Sequence, residues 1–290
     1  DWYNVGKLRN SGFEFDLNVK LIQKKDWYWD MSVNGYTYAN KMLNLPDEYK
    51  VSGMPNGNQR IYEGKDIYRW EMRQFAGLDE KGNSLWYMDQ DILDDAGNVV
   101  GVEKVTTGDA TEATQYLLEK SALPDFTGGL NTTLRWKSLD LTIMTNFQFG
   151  GYGYDYDFSA FSSANFPMNR LKNYADAWNP ETGKGSAPIW NTNDSNINAS
   201  SDRFLISKTY FNLRNITLGY TFPANWMSKI GIKSVRVYFA CDNVFFASKR
   251  KGYDPRTSMG GQGATVALNS VDGTYYSPIR TTSVGLNINF

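Results

Sequence analysis

From Gly12 onward the chain alternates with a period of two: Phe13, Phe15, Leu17, Val19 and Leu21 are apolar, and Glu14, Asp16, Asn18 and Lys20 fill the gaps. That pattern predicts a strand with one dry and one wet face. After a polar break at 23–26 it resumes as Trp27, Trp29, Met31 and Val33 against Tyr28, Asp30, Ser32 and Asn34, so the two stretches predict a hairpin. Similar alternation marks 67–77, 126–137, 139–150, 206–222, 234–246 and 277–290, and 59–63 reads as a short partner strand. With 11–23 and 27–38, nine strands are expected. A phase slip at Arg214–Asn215 predicts a β-bulge.

Many of these stretches reach or exceed the ~9–11 residues with which a tilted strand crosses a bilayer. The connections alternate in size as well. They are tight at 23–26, 63–66 and 137–138, moderate at 223–233, and long near 41–58, 78–124, 151–205 and 247–275. Short turns on one rim and long loops on the other are expected of an outer-membrane barrel. Aromatic residues gather at strand ends: Trp27, Trp29, Trp136, Tyr220, Phe222, Trp226 and Phe290 beside the short turns, and Tyr36, Tyr38, Phe147, Phe149, Tyr210, Phe211, Phe245 and Phe246 at the opposite ends. Two such rows read as interfacial girdles. The expected fold is therefore all-β, an antiparallel transmembrane β-barrel. Alternation alone leaves open a soluble β-protein with the same apolar face turned inward.

Composition narrows the chemistry. Lys+Arg number 30 and Asp+Glu 31, a net charge of −1, which argues against a general nucleic-acid binder because phosphate neutralisation needs a basic excess. There is no His and a single Cys, Cys241, which removes most transition-metal sites, every Ser-His-Asp or Cys-His device and any internal disulfide. No cofactor is expected. No apolar run approaches the ~20 residues of a membrane-spanning helix. Aromatics make up 15% of a chain whose mean hydropathy is −0.51, a combination that period-two alternation accommodates. The start, Asp1 to Asn4, lacks the features of a secretory signal, so either a signal was removed or the natural start lies elsewhere.

Several stretches resemble the C-terminal part of the SusC/RagA family of TonB-dependent outer-membrane transporters: Asn4–Glu14 (NVGKLRNSGFE), Glu63-Gly64 with Phe75–Asp79 (FAGLD), Leu123–Leu130 (LPDFTGGL), Leu213–Tyr220 (LRNITLGY) followed by Pro223, and Asp242–Phe245 (DNVF). The terminal Phe290 matches the end of an outer-membrane strand. The resemblance implies that 1–290 is the C-terminal portion of a 22-stranded plugged barrel. Nine strands cannot close alone, since bacterial single-chain barrels need an even number. It further implies a non-enzymatic importer of oligosaccharides or oligopeptides in the bacterial outer membrane. Its partners would be a SusD-like surface lipoprotein, TonB acting through an N-terminal part, the remaining barrel and plug, and outer-membrane lipid. Two rivals stand beside it: a soluble all-β glycan-binding module, and a carboxylate-dependent polysaccharide hydrolase.

On the barrel reading, Glu14, Asp16, Lys20, Asp30, Arg69, Glu71, Arg73, Arg135, Asp140, Arg236 and Asp242 line a wet lumen, with their mixed signs pairing across strands. Glu14 and Asp16, two apart on a strand and thus ~6–7 Å apart, are the pair a hydrolase would use. The loop 151–205 holds Tyr152, Tyr154, Tyr156, Phe158, Phe161, Trp178 and Trp190 among many Asn and Asp. Of these, Tyr152, Tyr154, Tyr156, Phe158, Trp178 and Trp190 are the candidates for contact with a glycan or a partner; a folded loop core suits the same composition. The run Asp89–Asn98 fails as a calcium loop because Leu93 stands at a ligand position and the Gly is misplaced. Asp95–Asn98 and Asp79–Asn83 read instead as hairpin turns, and Cys241 as a passive residue.

Overall fold

The computed structural model describes residues 6–162, 172, 176–191, 194, 196–197, 199–227, 229, 231–249 and 279–290. In chain order the strands are β1 (Lys7–Gln23), β2 (Trp27–Asn44), β3 (Met54–Asn56), β4 (Gln59–Ile61), β5 (Arg69–Arg73), β6 (Phe75–Leu78), β7 (Ser84–Leu93), β8 (Val99–Thr107), β9 (Gln115–Ser121), β10 (Phe126–Trp136), β11 (Leu139–Phe149), β12 (Tyr152–Tyr154), β13 (Leu205–Ser207), β14 (Tyr210–Thr221), β15 (Ser234–Ser248) and β16 (Thr281–Asn289). The α-helices are α1 (Tyr156–Phe161) and α2 (Ala224–Met227).

Seven strands form one antiparallel sheet, in the order β1-β2-β10-β11-β14-β15-β16. The sequence predicts nine strands in this sheet, and the structure corrects the number. Residues 59–63 and 67–77 leave it because β10 occupies the edge of β2 from Trp27 to Tyr36, pairing Gly128 with Gly35 and Trp136 with Trp27. Those residues fold instead into two small sheets of the long connection 45–125, ordered β3-β4-β5-β9 and β6-β7-β8. The turn at 63–66 accordingly lies among the long loops, not on the short-turn rim.

The remaining connections sort as expected. Those at 24–26, 137–138 and 222–233 share one rim, where Lys137 N–H donates to Asp26 O and Thr221 N–H to Ser138 O, both at 2.8 Å. Those at 45–125 and 150–209 share the other, where β15 also ends and β16 begins; the expected loop near 247–275 lies, beyond residue 249, outside the described residues. The predicted bulge is present, with the β14 register shifting between Leu213 and Asn215 against β15.

One face of the sheet is predominantly apolar, with a few threonines among its cross-strand rows. Leu17, Val33 and Leu130 stand side by side, and Trp29, Leu134, Leu141, Leu218, Phe239 and Val284 form another row. Many of these side chains are exposed. The opposite face carries Lys20, Asp30, Thr133, Thr142 and Thr217 in one row, and Asp16, Asn34, Asn146 and Asn212 in another. The dry core sits elsewhere, in the loops: Trp70, Met72, Leu118 and Ala122 of 45–125 pack against Tyr154, Phe204 and Leu205 of 150–209. The long connections thus fold together as a cap over one end of the wall.

Candidate functional site

The apolar face ends in aromatic belts. On the long-loop side Phe13, Phe15, Phe126, Phe147 and Phe149 form a chain of rings with neighbouring centroids 5.6–6.4 Å apart. Gly35 gives these rings room, since a Cβ there would strike Phe126, and at Gly128 a Cβ would strike the Asn34 carbonyl and crowd Phe126 and Phe147. On the short-turn side Trp27 lies 5.7 Å from Trp136, and Tyr220 lies 5.2 Å from Phe222. The eleven residues of β10 from Phe126 to Trp136 join the belts. At ~3.3 Å per residue and a tilt of ~40°, their separation is about 25 Å, the height of the apolar band of an outer-membrane barrel. Four rings expected in the outer girdle face the other way: Tyr36, Tyr38, Tyr210 and Phe246 sit on the polar side. Tyr210 stacks on Phe246 there at 5.7 Å, and Tyr38 Oη donates to Asn10 Oδ1.

Near the short-turn rim the polar face carries an ordered row. Asp140 accepts from Arg236 Nε at 3.0 Å and Nη2 at 2.5 Å, across the intervening strand β14. The residue between them is Gly219, whose register partners are Asp140 and Tyr238. A side chain there would occupy the ion pair's own space. Next in the row, the Tyr238 ring covers Gly285. On the other side, the Arg135 guanidinium lies 4.4 Å from the Tyr28 ring. Farther up, Asn215 Nδ2 donates to Asp242 at 2.8 Å and Asn18 donates to Asp16. Glu14 faces Tyr36, and Lys20 lies opposite Asp30. Glu14, Asp16, Lys20, Asp30, Arg135, Asp140, Arg236 and Asp242 therefore share the polar face.

Arg69, Glu71 and Arg73 do not, and their lumen-lining expectation is corrected. They belong to β5 in the cap, where each has a local partner. Arg69 pairs with Asp66 at 3.2 Å and Glu119 at 2.7 Å. Glu71 takes Arg60 at 2.5 Å and the Tyr62 hydroxyl at 2.9 Å, and Arg73 donates to Ala110 O. Glu119, held by the Arg69 guanidinium, ionises more readily than an ordinary carboxylate.

The aromatic candidates of the second loop divide. Tyr154 is buried in the cap core, with Tyr152, Tyr156 and Phe158 packed against it. Burial pushes the Tyr156 hydroxyl up to about 12. Trp178 packs against Gly82 and Gly185. Trp190, 46% exposed, is the most exposed of the six. Both predicted turns form. Asp94 accepts the N–H groups of Ala96 and Asn98, and those bonds, with the Asn98 side chain, hold it below the usual carboxylate range. At Asp79 burial opposes ionisation, yet the Asn83 and Lys81 donors overcome it. Cys241 stands in the apolar row between Ile216 and Thr282.

A recess that sequence reasoning missed opens where β2 outruns β10. It has a volume of about 850 Å³, walled on one side by Tyr38, Asn40 and Lys41 and on the other by Asp125, Gly151 and Tyr152. The available signal was a length mismatch: β2 has 18 residues and β10 has 11.

No protein-family model matches the chain. Individual proteins do. A TonB-dependent receptor of Formosa agariphila is 25% identical over 308 residues, covering 99% of this chain and 29% of its own length. The TonB-dependent receptor SusC of Bacteroides thetaiotaomicron is 26% identical over 294 residues, covering 99% and 27%. Among solved structures, the RagAB peptide transporter superposes with a TM-score of 0.76 at 26% identity, over 99% of this chain and 30% of that one. Over nearly its whole length the chain is similar to part of SusC-type TonB-dependent transporters. It spans roughly 30% of the length of these relatives. The SusC-type match orients the sheet as a transmembrane barrel wall, with the apolar rows facing lipid and the polar rows facing the lumen. The relatives are named as receptors and a peptide transporter, which lends no support to the hydrolase reading of Glu14 and Asp16.

Proposed function

We propose that residues 1–290 are the C-terminal portion of the barrel of an outer-membrane importer of oligosaccharides or oligopeptides, energised through TonB and working with a SusD-like surface lipoprotein. The observation that carries this reading is the seven-stranded wall itself, apolar outward and polar inward between two aromatic belts, superposing on the RagAB transporter over 99% of the chain. The edges of β1 and β16 have no partner within the described sheet, and the remaining barrel strands close it around a plug. In this frame the cap formed by 45–125 and 150–209 is extracellular. It is the surface that meets cargo and the lipoprotein, and Trp190 is its exposed aromatic contact. The lumen row from Tyr28 to Arg236 lies toward the periplasm and meets the plug.

Uptake tests the reading. Cells carrying the full-length transporter as their sole importer of this type should accumulate radiolabelled oligosaccharide or oligopeptide, and should stop when TonB is deleted or the lipoprotein gene is removed. Accumulation that continues without TonB, or a full-length protein that partitions into the aqueous phase without detergent, would refute it.

A further inference from the structure

The recess beside β2 has an unusual wall: an interrupted sheet edge. The β2–β10 ladder stops at Tyr36, whereas β2 runs on to Asn44. Higher up, the same edge is occupied again, because Met42 N–H donates to Lys65 O at 2.9 Å and Gly64 N–H to Met42 O at 2.8 Å. In a strand, alternate residues direct their backbone groups to the same side. The groups of Tyr38 and Asn40 therefore point where those of Tyr36 and Met42 point. Among the described residues they have no partner, since the candidate opposite, Asp125 N–H, donates to Phe149 O. Asn40 is 6% exposed, and its side chain is half used: Oδ1 accepts the Ile67 N–H at 3.0 Å, and Nδ2 has no partner among the described residues. Buried backbone and amide groups are very seldom left unpaired in proteins.

We infer that this gap binds an extended peptide segment by strand addition. A peptide laid in the recess bonds to the N–H and C=O groups of Tyr38 and Asn40, which stand ~7 Å apart, so about three of its residues are engaged. Asn40 Nδ2 supplies a further donor to a peptide carbonyl. Lys41, Lys65 and Asp125 line the same recess and offer both signs of charge to side chains or termini, while Tyr38 and Tyr152 offer rings. The geometry favours peptide over sugar, because an alternating pair of backbone donors and acceptors at strand spacing matches another strand and no feature of a sugar ring. The inference deepens the importer reading, and rests on it only in placing the recess outside the membrane.

The probe is a tryptic digest of casein, incubated with the purified full-length transporter in detergent. The retained peptides are identified by mass spectrometry, and one is resynthesised with a single backbone N-methyl group moved along it. Strand addition predicts that methylation at every second position across about three residues weakens binding at least about 10-fold, while the intervening positions change it less than about 2-fold. Asn40→Asp keeps the acceptor for Ile67 N–H and removes the donor, and should weaken binding about 10-fold. The inference is overturned if no peptide is retained, if all N-methyl isomers bind alike, if Asn40→Asp binds normally, or if a segment of the transporter itself is found bonded to Tyr38 and Asn40. Uptake separates the two levels. TonB-dependent peptide uptake that ignores Asn40→Asp sinks this site and spares the importer, whereas TonB-independent uptake sinks the importer and leaves the binding result readable.

Discussion

Replacing Gly219 by alanine sets two effects of opposite sign against each other. On backbone grounds alone the change should help, since glycine inside a strand costs about 0.5–1 kcal/mol relative to alanine. The structure predicts the reverse. The new Cβ would sit 2.6 Å from Asp140 Oδ1 and closer still to Arg236 Nη2, distances that real Cβ atoms do not show. One or both of the charge-assisted bonds between Arg236 and Asp140 must then break. Such bonds contribute about 1.5–3 kcal/mol each, less where water reaches them; these side chains are partly exposed. A net loss of about 1–2 kcal/mol is expected after the backbone gain. The assay is urea unfolding of the full-length transporter in lipid vesicles, followed by tryptophan fluorescence and heat-modifiable gel migration. Repeating the substitution in an Asp140→Ala background removes the clash with the ion pair, and there Gly219→Ala should be neutral or stabilising. A Gly219→Ala protein as stable as the parent, or equally destabilised in both backgrounds, would refute the assignment of Gly219 as the space-maker for this pair.

Three further outcomes follow from the same geometry. Leu141→Arg, on the lipid face, should destabilise by about 2–4 kcal/mol in vesicles, while Thr142→Arg, one residue along on the lumen face, should change stability little; equal effects in urea titrations would contradict the facing. Lys208 is buried and its amine, which has no partner among the described residues, is pushed down to about 8 by burial. Because the unfolded chain holds that proton up to about pH 10.4, the penalty of burying the charge is fully present below pH 8 and is relieved as pH rises from 8 toward 10.4. Lys208→Met should therefore raise stability at pH 7 by up to about 3 kcal/mol and flatten the pH dependence in that window, as read from unfolding midpoints. Trp70→Ala removes a fully buried ring and its bond to Tyr152 O at 3.1 Å. It should loosen the cap by about 3–5 kcal/mol, seen as rapid tryptic nicking between 45 and 125 while heat-modifiable migration of the barrel persists.

Much of the wall is legible in the sequence because a barrel strand has only one dry face, and a period of two records it directly. Phe13 to Leu21 and Leu139 to Phe149 need no tertiary information to be read. Arg69, Glu71 and Arg73 mislead for the same reason. They alternate with Trp70 and Met72 as cleanly as any barrel strand, but alternation reports that one face is dry without saying against what. In β5 that face meets Phe204 and Tyr154 from a loop more than 80 residues away. Tyr154 and Trp190 show the companion limit: the composition of an aromatic, polar loop is the same whether a ring is buried in its core or turned outward. Girdle residues are half legible, since Phe147 and Phe149 lie outward while Tyr36 and Tyr38, next to outward positions, do not. The recess at Asn40 has no motif at all, being made by one strand outrunning its neighbour.

The central claim is that this sheet is a lipid-facing wall. Site-directed spin labels placed one at a time from Leu139 to Phe149 in the full-length transporter, reconstituted in bilayers, test it most directly. Labels at 139, 141, 143 and 147 should collide with oxygen dissolved in lipid, and those at 140, 142 and 146 with a water-soluble nickel chelate, in strict alternation. If the apolar positions are shielded from both reagents while the polar ones meet bulk water, the apolar face is a protein core and the barrel account is wrong.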